Sequence, residues 1–162
     1  MTISVGSKLP DAEVLVKANG KLEHASMAAR LAGRNVVIFG VPGAYTSTCS
    51  TSHVPSFMRV ADRLRAKGVD EIMCVSVNDA DVMQAWGNVT GGTAKGITFV
   101  ADTMSNFTVG IGMEYSVPAI GWTNRSKRYA LYAVDGVVKV LNIGEETNAC
   151  EVSGGETMLA AI

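Results

Sequence analysis

Short apolar runs alternate with amphipathic stretches along most of the chain. Residues 35–41 form a run rich in β-branched side chains between turn residues, which predicts a strand buried on both faces. Residues 71–77 and 96–101 predict two further strands. Residues 13–17 predict a short strand that ends at the turn pair Asn19-Gly20.

A long amphipathic helix is predicted after the strand at residues 35–41. It starts at the capping residues 46–48 and stops at Gly68. Pro55 lies inside it and predicts a kink, because the proline ring removes a backbone donor. Apolar side chains recur at helical spacing along this segment, at Val54, Phe57, Met58, Ala61 and Leu64.

The rest of the pattern completes an α/β arrangement. The order β-α-β-α-β-β-α predicts a central mixed β-sheet flanked by helices, in the order of a thioredoxin-like fold with an N-terminal extension. A length of 162 residues predicts a single domain, residues 1–162. The remaining predicted elements are a helix capped by Asn78 or Asp79 that runs through Trp86, a helical stretch near 104–110, a hairpin of 129–134 and 137–143 around the turn Asp135-Gly136, and a final helix at 156–162.

Composition excludes several classes of partner. Lys and Arg number 14 against 15 Asp and Glu, so the net charge of −1 argues against nucleic-acid binding. The longest apolar run, residues 36–41, is far shorter than the ~20 residues that cross a bilayer, so no membrane partner is expected. Charged residues make up 18%, below the usual ~25%, which indicates that part of the surface is covered by a partner. The N-terminus lacks a signal region, which predicts a cytoplasmic location, or a mitochondrial or other organellar one if a targeting segment was removed.

The chain has three cysteines, Cys49, Cys74 and Cys150. An odd count without a secretory signal favours reactive thiols over a structural disulfide framework. No Cys-x-x-Cys pair is present and His24 is distant in sequence, so ligands for a structural zinc site are lacking. No metal or other cofactor is expected. His53 lies four residues after Cys49, where a packing or hydrogen-bonding role is favoured over a general base or a metal ligand.

Cys49 falls in the first turn of the predicted long helix, directly after a buried strand. Unpaired backbone N–H groups and the positive end of the helix dipole lie there, and both lower the pKa of a thiol. A thiolate at neutral pH is a nucleophile. The alternative is a small cysteine packed in the core, which remains the favoured interpretation for Cys74 and Cys150.

The spacing Pro42-x-x-x-Thr46-x-x-Cys49 resembles the signature of peroxiredoxins. The longer string from residue 39 to residue 55 resembles the type II subgroup, also called the five subgroup. The resemblance covers nearly the whole chain. Further matching blocks are Val75-Ser76-Val77-Asn78-Asp79, Trp86-Gly87, Lys127-Arg128-Tyr129 and the hairpin at 134–139.

This resemblance implies a peroxidase in which the Cys49 thiolate attacks a peroxide oxygen and becomes a sulfenic acid. Thr46 would turn its hydroxyl toward the thiolate and the peroxide, or serve as a helix N-cap. Arg128 would lower the Cys49 pKa and hold the peroxide oxygens. Strand alternation places Arg128 and Lys127 on opposite sides, so one of the two points inward. Pro42 would limit water around the sulfur, or end the preceding strand.

The step after oxidation stays open. The family includes members with a second, resolving cysteine and members with one working cysteine. Cys150 and Cys74 are the two candidates for a resolving residue, and turnover by an external thiol is the alternative. Either pairing would require the first helical turn around Cys49 to unwind, since the Cα atoms of a disulfide lie within about 7 Å of each other. Ser47 stands where proline is common in the family.

The resemblance also implies partners. Hydrogen peroxide and alkyl hydroperoxides are the expected substrates, and thioredoxin, glutaredoxin or glutathione the expected reductants. A homodimer is expected, with contacts near the Cys49 loop from residues such as Tyr45 and Trp86.

Two other functions compete with this interpretation. One is a non-catalytic thioredoxin-fold module for redox sensing or chaperone binding, against which the joint presence of Thr46, Cys49 and Arg128 argues. The other is a thioredoxin-type disulfide oxidoreductase, which Thr46-x-x-Cys49 in place of Cys-x-x-Cys disfavours.

Overall fold

The structure, a computed structural model, describes residues 1–47, 49–144 and 152–162, with the backbone alone for Cys49 and Ser50. Its strands are β1 (Glu13–Ala18), β2 (Lys21–Ser26), β3 (Asn35–Gly40), β4 (Glu71–Ser76), β5 (Ile97–Ala101), β6 (Glu114–Val117), β7 (Trp122–Ser126), β8 (Arg128–Val134) and β9 (Val137–Gly144). Its α-helices are α1 (Met27–Leu31), α2 (Val54–Ala66), α3 (Ala80–Thr90), α4 (Asn106–Gly110) and α5 (Gly155–Ala161). A π-helical turn (Cys49–His53) precedes α2, and a 3-10 turn (Pro118–Ile120) separates β6 from β7.

Seven strands form one mixed sheet in the order β2-β1-β5-β4-β3-β8-β9. The central pairs β3–β4 and β4–β5 are parallel, whereas the outer pairs are antiparallel. Strands β6 and β7 form a separate two-stranded sheet. This is the mixed sheet that the order of elements predicted.

Both faces of the sheet are covered. Val37 and Phe39 point into one apolar cluster, which α2, α3 and α5 complete. Val36 and Ile38 point into the other, which includes side chains from α1 and α4. All four of these β3 side chains are fully buried, which confirms the strand predicted from the continuous apolar run.

Two Asx-Gly turns build the hairpins of the sheet. Asp135 and Gly136 have φ of 50° and 74°, and this left-handed pair joins the predicted strands of the C-terminal hairpin. Asn19 and Gly20 do the same between β1 and β2. Strand β2 was not predicted, because the first four of its six residues are exposed and carry no apolar alternation.

The predicted long helix is not one regular α-helix. The backbone from Cys49 to His53 is π-helical, and α2 begins at Val54 with Pro55 in its first turn. In a continuous α-helix Pro55 would lack the N–H for the carbonyl four residues earlier, and its ring would clash with that carbonyl. Where a kink at Pro55 was expected, the structure has a change of helix type, from π to α between His53 and Val54.

In the part of the chain that the structure describes, no helix is both long and apolar enough to cross a membrane.

Candidate active site

The loop after β3 lies at the carboxyl ends of the parallel strands, where open α/β sheets place their ligand sites. The N–H of Val41 extends the pairing with β4 through the Val75 carbonyl, at 3.1 Å. Beyond it the chain turns away, and Pro42 is buried. Tyr45 has a φ of 65°, which a residue with a side chain rarely adopts. We call residues 42–46 the active-site loop.

Thr46 closes this loop on itself. It is half-buried, and its hydroxyl donates a hydrogen bond of 2.8 Å to the Gly43 carbonyl. A hydroxyl has a single hydrogen, so in this geometry Thr46 offers its oxygen lone pairs to a neighbour rather than its proton.

Cys49 is the first residue of the π-helical turn, as expected from its position after β3 and the loop. Its side chain and the whole of Thr48 lie outside the described residues. The exposure of the thiol and its distance to Arg128 therefore stay predictions.

Arg128 begins β8, beside the end of β3, where Gly40 pairs with Tyr129. Its side chain is half-buried, whereas that of Lys127 is exposed. The charge of Arg128 reaches the π-helical turn, since it helps to lower the pKa of His53. Of the two neighbouring cations, Arg128 is therefore the one on the side of the Cys49 helix.

His53 is fully buried against the rings of Phe39 and Phe57, at centroid distances of 5.0 and 5.7 Å. Its Nε2 donates to the Ser153 carbonyl at 2.9 Å, and Nδ1 has no hydrogen-bond partner among the described residues. Burial lowers the pKa of His53 to about 4, the Ser153 hydrogen bond opposes this, and the Arg128 charge adds to it. The neutral imidazole has the packing and hydrogen-bonding role that the sequence favoured.

Of the two other cysteines, the structure describes only Cys74. Cys74 is fully buried in the middle of β4, paired in register with Phe39 and Phe99. Cys150 lies outside the described residues. The chain is described again from residue 152, and there it lies against α2: Gly155 N donates to Ser56 Oγ at 2.9 Å.

Asn78 and Arg125 contact the active-site loop, and sequence reasoning missed both roles. Asn78 Oδ1 accepts hydrogen bonds from Ala44 N at 2.9 Å and from Ser76 Oγ at 2.6 Å. The helix cap expected from Asn78 or Asp79 is supplied by Asp79, whose Oδ1 accepts from Val82 N.

Arg125 reaches the same loop from the small sheet. Its Nη1 donates to the Pro42 carbonyl at 3.2 Å. An arginine three residues before Arg128 carried no signal of its own, because the contact joins parts of the chain that lie 83 residues apart.

Comparisons with known proteins agree on one family. A family model described as Redoxin matches residues 4–159. The chloroplastic rice protein peroxiredoxin-2E-2 is 47% identical over 165 residues, which cover 99% of this chain and 73% of that protein. Arabidopsis peroxiredoxin-2B is 42% identical, covering 99% of this chain and 98% of that protein.

A solved structure matches over the whole chain as well. The crystal structure of reduced Prx3 from Vibrio vulnificus in complex with hydrogen peroxide is 42% identical, with a TM-score of 0.91 and 99% of both chains covered. This superposition confirms the predicted thioredoxin-like fold.

Proposed function

The chain belongs to the peroxiredoxin family, whose members are thiol peroxidases of antioxidant defence, and we propose that Cys49 is the sulfur that attacks the peroxide. The observation that carries this proposal is the position of Cys49 at the start of the helical turn behind the active-site loop. Cys74, by contrast, is fully buried in the sheet, where a peroxide has no access.

The proposed first step is a displacement at oxygen. The Cys49 thiolate donates an electron pair to the terminal oxygen of the hydroperoxide, an S–O bond forms and the O–O bond breaks. The sulfur is oxidised to a sulfenic acid, and the peroxide is reduced. The leaving alkoxide or hydroxide takes up one proton and departs as an alcohol or as water.

Arg128, Thr46 and Pro42 are proposed to assist this step. The Arg128 guanidinium keeps its charge when partly desolvated and stabilises negative charge that grows on the leaving oxygen. The Thr46 oxygen, whose proton is engaged by Gly43, accepts a hydrogen bond from the peroxide O–H. Pro42, the first residue of the active-site loop, is buried and would limit water at the sulfur.

We propose Cys150 as the resolving residue, with an external thiol as the competing route. The Cys150 thiol attacks the sulfenic sulfur, a disulfide forms and water leaves. The described chain supports this pairing, because Ser153 is hydrogen-bonded to His53, four residues after Cys49. Three residues span at most about 10 Å, so the sequence separation between Cys150 and Ser153 is short enough for the proposed pairing.

The reductant and the location stay predictions. Thioredoxin, or glutaredoxin with glutathione, is the proposed electron source, as expected for this family. A cytoplasmic location remains the proposal from the sequence, and relatives with different locations, such as the chloroplastic rice protein, do not decide it.

We also propose that the chain forms one domain that assembles into a homodimer. Tyr45 supports a contact at the active-site loop, because its side chain is 53% exposed there. The expected contribution of Trp86 is wrong: this side chain is fully buried within its own chain, with its ring edge against Phe99.

Sedimentation at low-micromolar concentration should give twice the chain mass. Tyr45→Glu should lower the measured mass, whereas Val89→Glu, on the exposed surface of α3, should not. A monomeric wild-type protein would reject the dimer.

The catalytic proposal is tested by adding one equivalent of hydrogen peroxide to the reduced protein. Intact mass should rise by one oxygen or fall by two hydrogens, and peptide mapping should place the change at Cys49, with Cys150 as the partner of any disulfide. Cys49→Ser should lose turnover while folding normally, whereas Cys74→Ala should keep it. Turnover at the wild-type rate in Cys49→Ser would reject the proposal.

A further inference from the structure

We propose that Arg125 is a positioning residue for peroxide reduction, an inference that rests on the proposed function. It holds the active-site loop through the Pro42 carbonyl, and so fixes where the Thr46 oxygen meets the peroxide.

The guanidinium of Arg125 is itself held in place. It lies near the end of β7 and is half-buried, with Cζ 5.7 Å from the centre of the Trp122 ring. The Trp122 ring in turn meets Tyr115 edge-on at 6.2 Å. No carboxylate among the described residues forms an ion pair with Arg125. Its Nη1 donates a hydrogen bond to the loop backbone instead.

The fit between Arg125 and the loop is close. The hydrogen bond from Nη1 to the Pro42 carbonyl is 3.2 Å. At the next residue, a Cβ added to Gly43 would lie 2.6 Å from the same Nη1. A side chain at position 43 would therefore displace the guanidinium, so the close contact between Arg125 and the loop requires glycine at this position.

The loop needs such support because its conformation is strained. Tyr45 is held at a φ of 65°, a strained conformation that persists only where the surroundings fix it. Asn78 holds the loop from the sheet side through Ala44 N, and Arg125 holds it from the side of β7. Between these two contacts, the Gly43 carbonyl accepts the Thr46 hydroxyl.

A displacement of Pro42 is thus passed to Thr46 through one peptide unit. Once Arg125 is lost, the Pro42–Gly43 peptide unit is no longer held, and Asn78 alone fixes the Gly43–Ala44 unit whose carbonyl accepts the Thr46 hydroxyl. The direction of the Thr46 oxygen is then less tightly fixed. A misplacement of about 1 Å at a reacting group can lower a rate about 100-fold. Arg125 acts here through the loop, and need not touch the peroxide.

The competing role for a cation at this place is electrostatic, through a lower Cys49 pKa. Arg125→Lys separates the two roles, because lysine keeps the charge but loses the planar fork that reaches the carbonyl. Positioning predicts that Arg125→Lys and Arg125→Met both lose about 10- to 100-fold in the rate constant for oxidation of the reduced protein by hydrogen peroxide. The pH midpoint for alkylation of Cys49 by iodoacetamide should stay at the wild-type value in both variants.

Four further variants make the experiment specific. Arg63→Met removes an exposed arginine of α2 and should keep the wild-type rate. Arg125→Ala should recover part of its rate with added methylguanidinium, which fits the vacated space. Asn78→Ala should also lose rate, and the double variant with Arg125→Met should lose less than the product of the two single losses, since both residues hold one loop.

The results distinguish a wrong role for Arg125 from a wrong proposed function. A wild-type rate in Arg125→Met overturns it, and so does a loss explained wholly by a shift of the alkylation midpoint. Independent, multiplicative effects of Arg125 and Asn78 also overturn it. A wild-type protein that hydrogen peroxide does not oxidise refutes the proposed function instead. Circular dichroism and thermal midpoints show whether each variant is folded during the rate measurement.

Discussion

His53 shows how a buried side chain makes the folding stability depend on pH. The imidazole is packed between aromatic rings and donates Nε2–H to the Ser153 carbonyl, which joins the π-helical turn to the segment before α5. Protonation would put a charge into this apolar site, near the positive charge of Arg128. That is why the pKa of His53 falls from 6.5 to about 4.

The folding stability should therefore depend on this residue between about pH 4 and pH 6.5. In that window the unfolded chain binds a proton at His53 and the folded chain does not, so stability falls as the pH falls. The loss approaches about 3 kcal/mol at pH 4, since one pKa unit corresponds to about 1.4 kcal/mol. Urea unfolding of wild type and His53→Gln at several pH values measures it.

His53→Gln keeps a side-chain donor for the Ser153 carbonyl but cannot be protonated. Its unfolding free energy should fall less than that of the wild type as the pH is lowered. The exposed histidine His24 gives the matched control, His24→Gln, which should retain the wild-type slope. Parallel curves for wild type and His53→Gln would show that the buried imidazole does not titrate as described.

At the scale of elements, strands β3 and β8 show why one glycine must stay a glycine. Gly40 pairs with Tyr129 across the two strands, and a Cβ added at Gly40 would lie 2.0 Å from Cε1 of the tyrosine. The Tyr129 ring is fully buried, so it has no space into which it could move. The ring fills the place that a side chain at position 40 would take.

Gly40→Ala should lower the unfolding free energy by about 1–3 kcal/mol or more, which is the usual cost of overpacking a core. The measurement is the urea midpoint. Tyr129→Leu in the same chain should restore part of the loss, because the smaller side chain vacates the ring position. An unchanged midpoint in Gly40→Ala would contradict the close packing.

The elements that the sequence predicted are those with a strong periodic signal. Strand β3 was visible as a continuous apolar run, and the C-terminal hairpin as two runs around Asp135-Gly136. Strand β2 and the β6–β7 pair escaped, since most of their residues face solvent or lie half-buried and so show no alternation. In place of the single α-helix expected from residues 46–48 to Gly68, with a kink at Pro55, the chain has a π-helical turn followed by α2. The choice between α and π geometry depends on backbone fit, which apolar spacing does not report.

At the scale of the molecule, the parallel strands have two ends with different tasks. Their carboxyl ends carry the active-site loop. At the amino end of β4, the buried carboxylate of Glu71 accepts hydrogen bonds from Arg30, Arg34 and Thr98, at 2.8, 2.8 and 2.7 Å. This cluster ties α1 and the chain before β3 to β4 and β5.

Glu71→Gln should lower the unfolding free energy by about 1–3 kcal/mol, because the two guanidinium groups lose their negative partner and one of the two acceptor oxygens becomes an NH2 donor. The hydrogen peroxide rate should stay unchanged, since the cluster lies at the opposite end of the strands from the loop. Asp62→Asn breaks an exposed ion pair with Arg65 and serves as the control, with an expected change below about 1 kcal/mol. Equal effects of the two substitutions would show that burial adds nothing to the Glu71 cluster.

The family resemblance supplied the roles proposed for Pro42 and Thr46. Local patterns along the chain predicted the central strands, the C-terminal hairpin and the position of Cys49 at the start of a helical turn. Each is a local property: it follows from periodicity or from residues a few positions apart. The role of Arg128 came from family resemblance, because alternation alone does not say which of two cations points inward. The tertiary structure decided the contacts of Asn78, Arg125 and Ser153. These join segments 34, 83 and 100 residues apart, and the geometry of a hydrogen bond across such a distance is set by packing rather than by any local pattern.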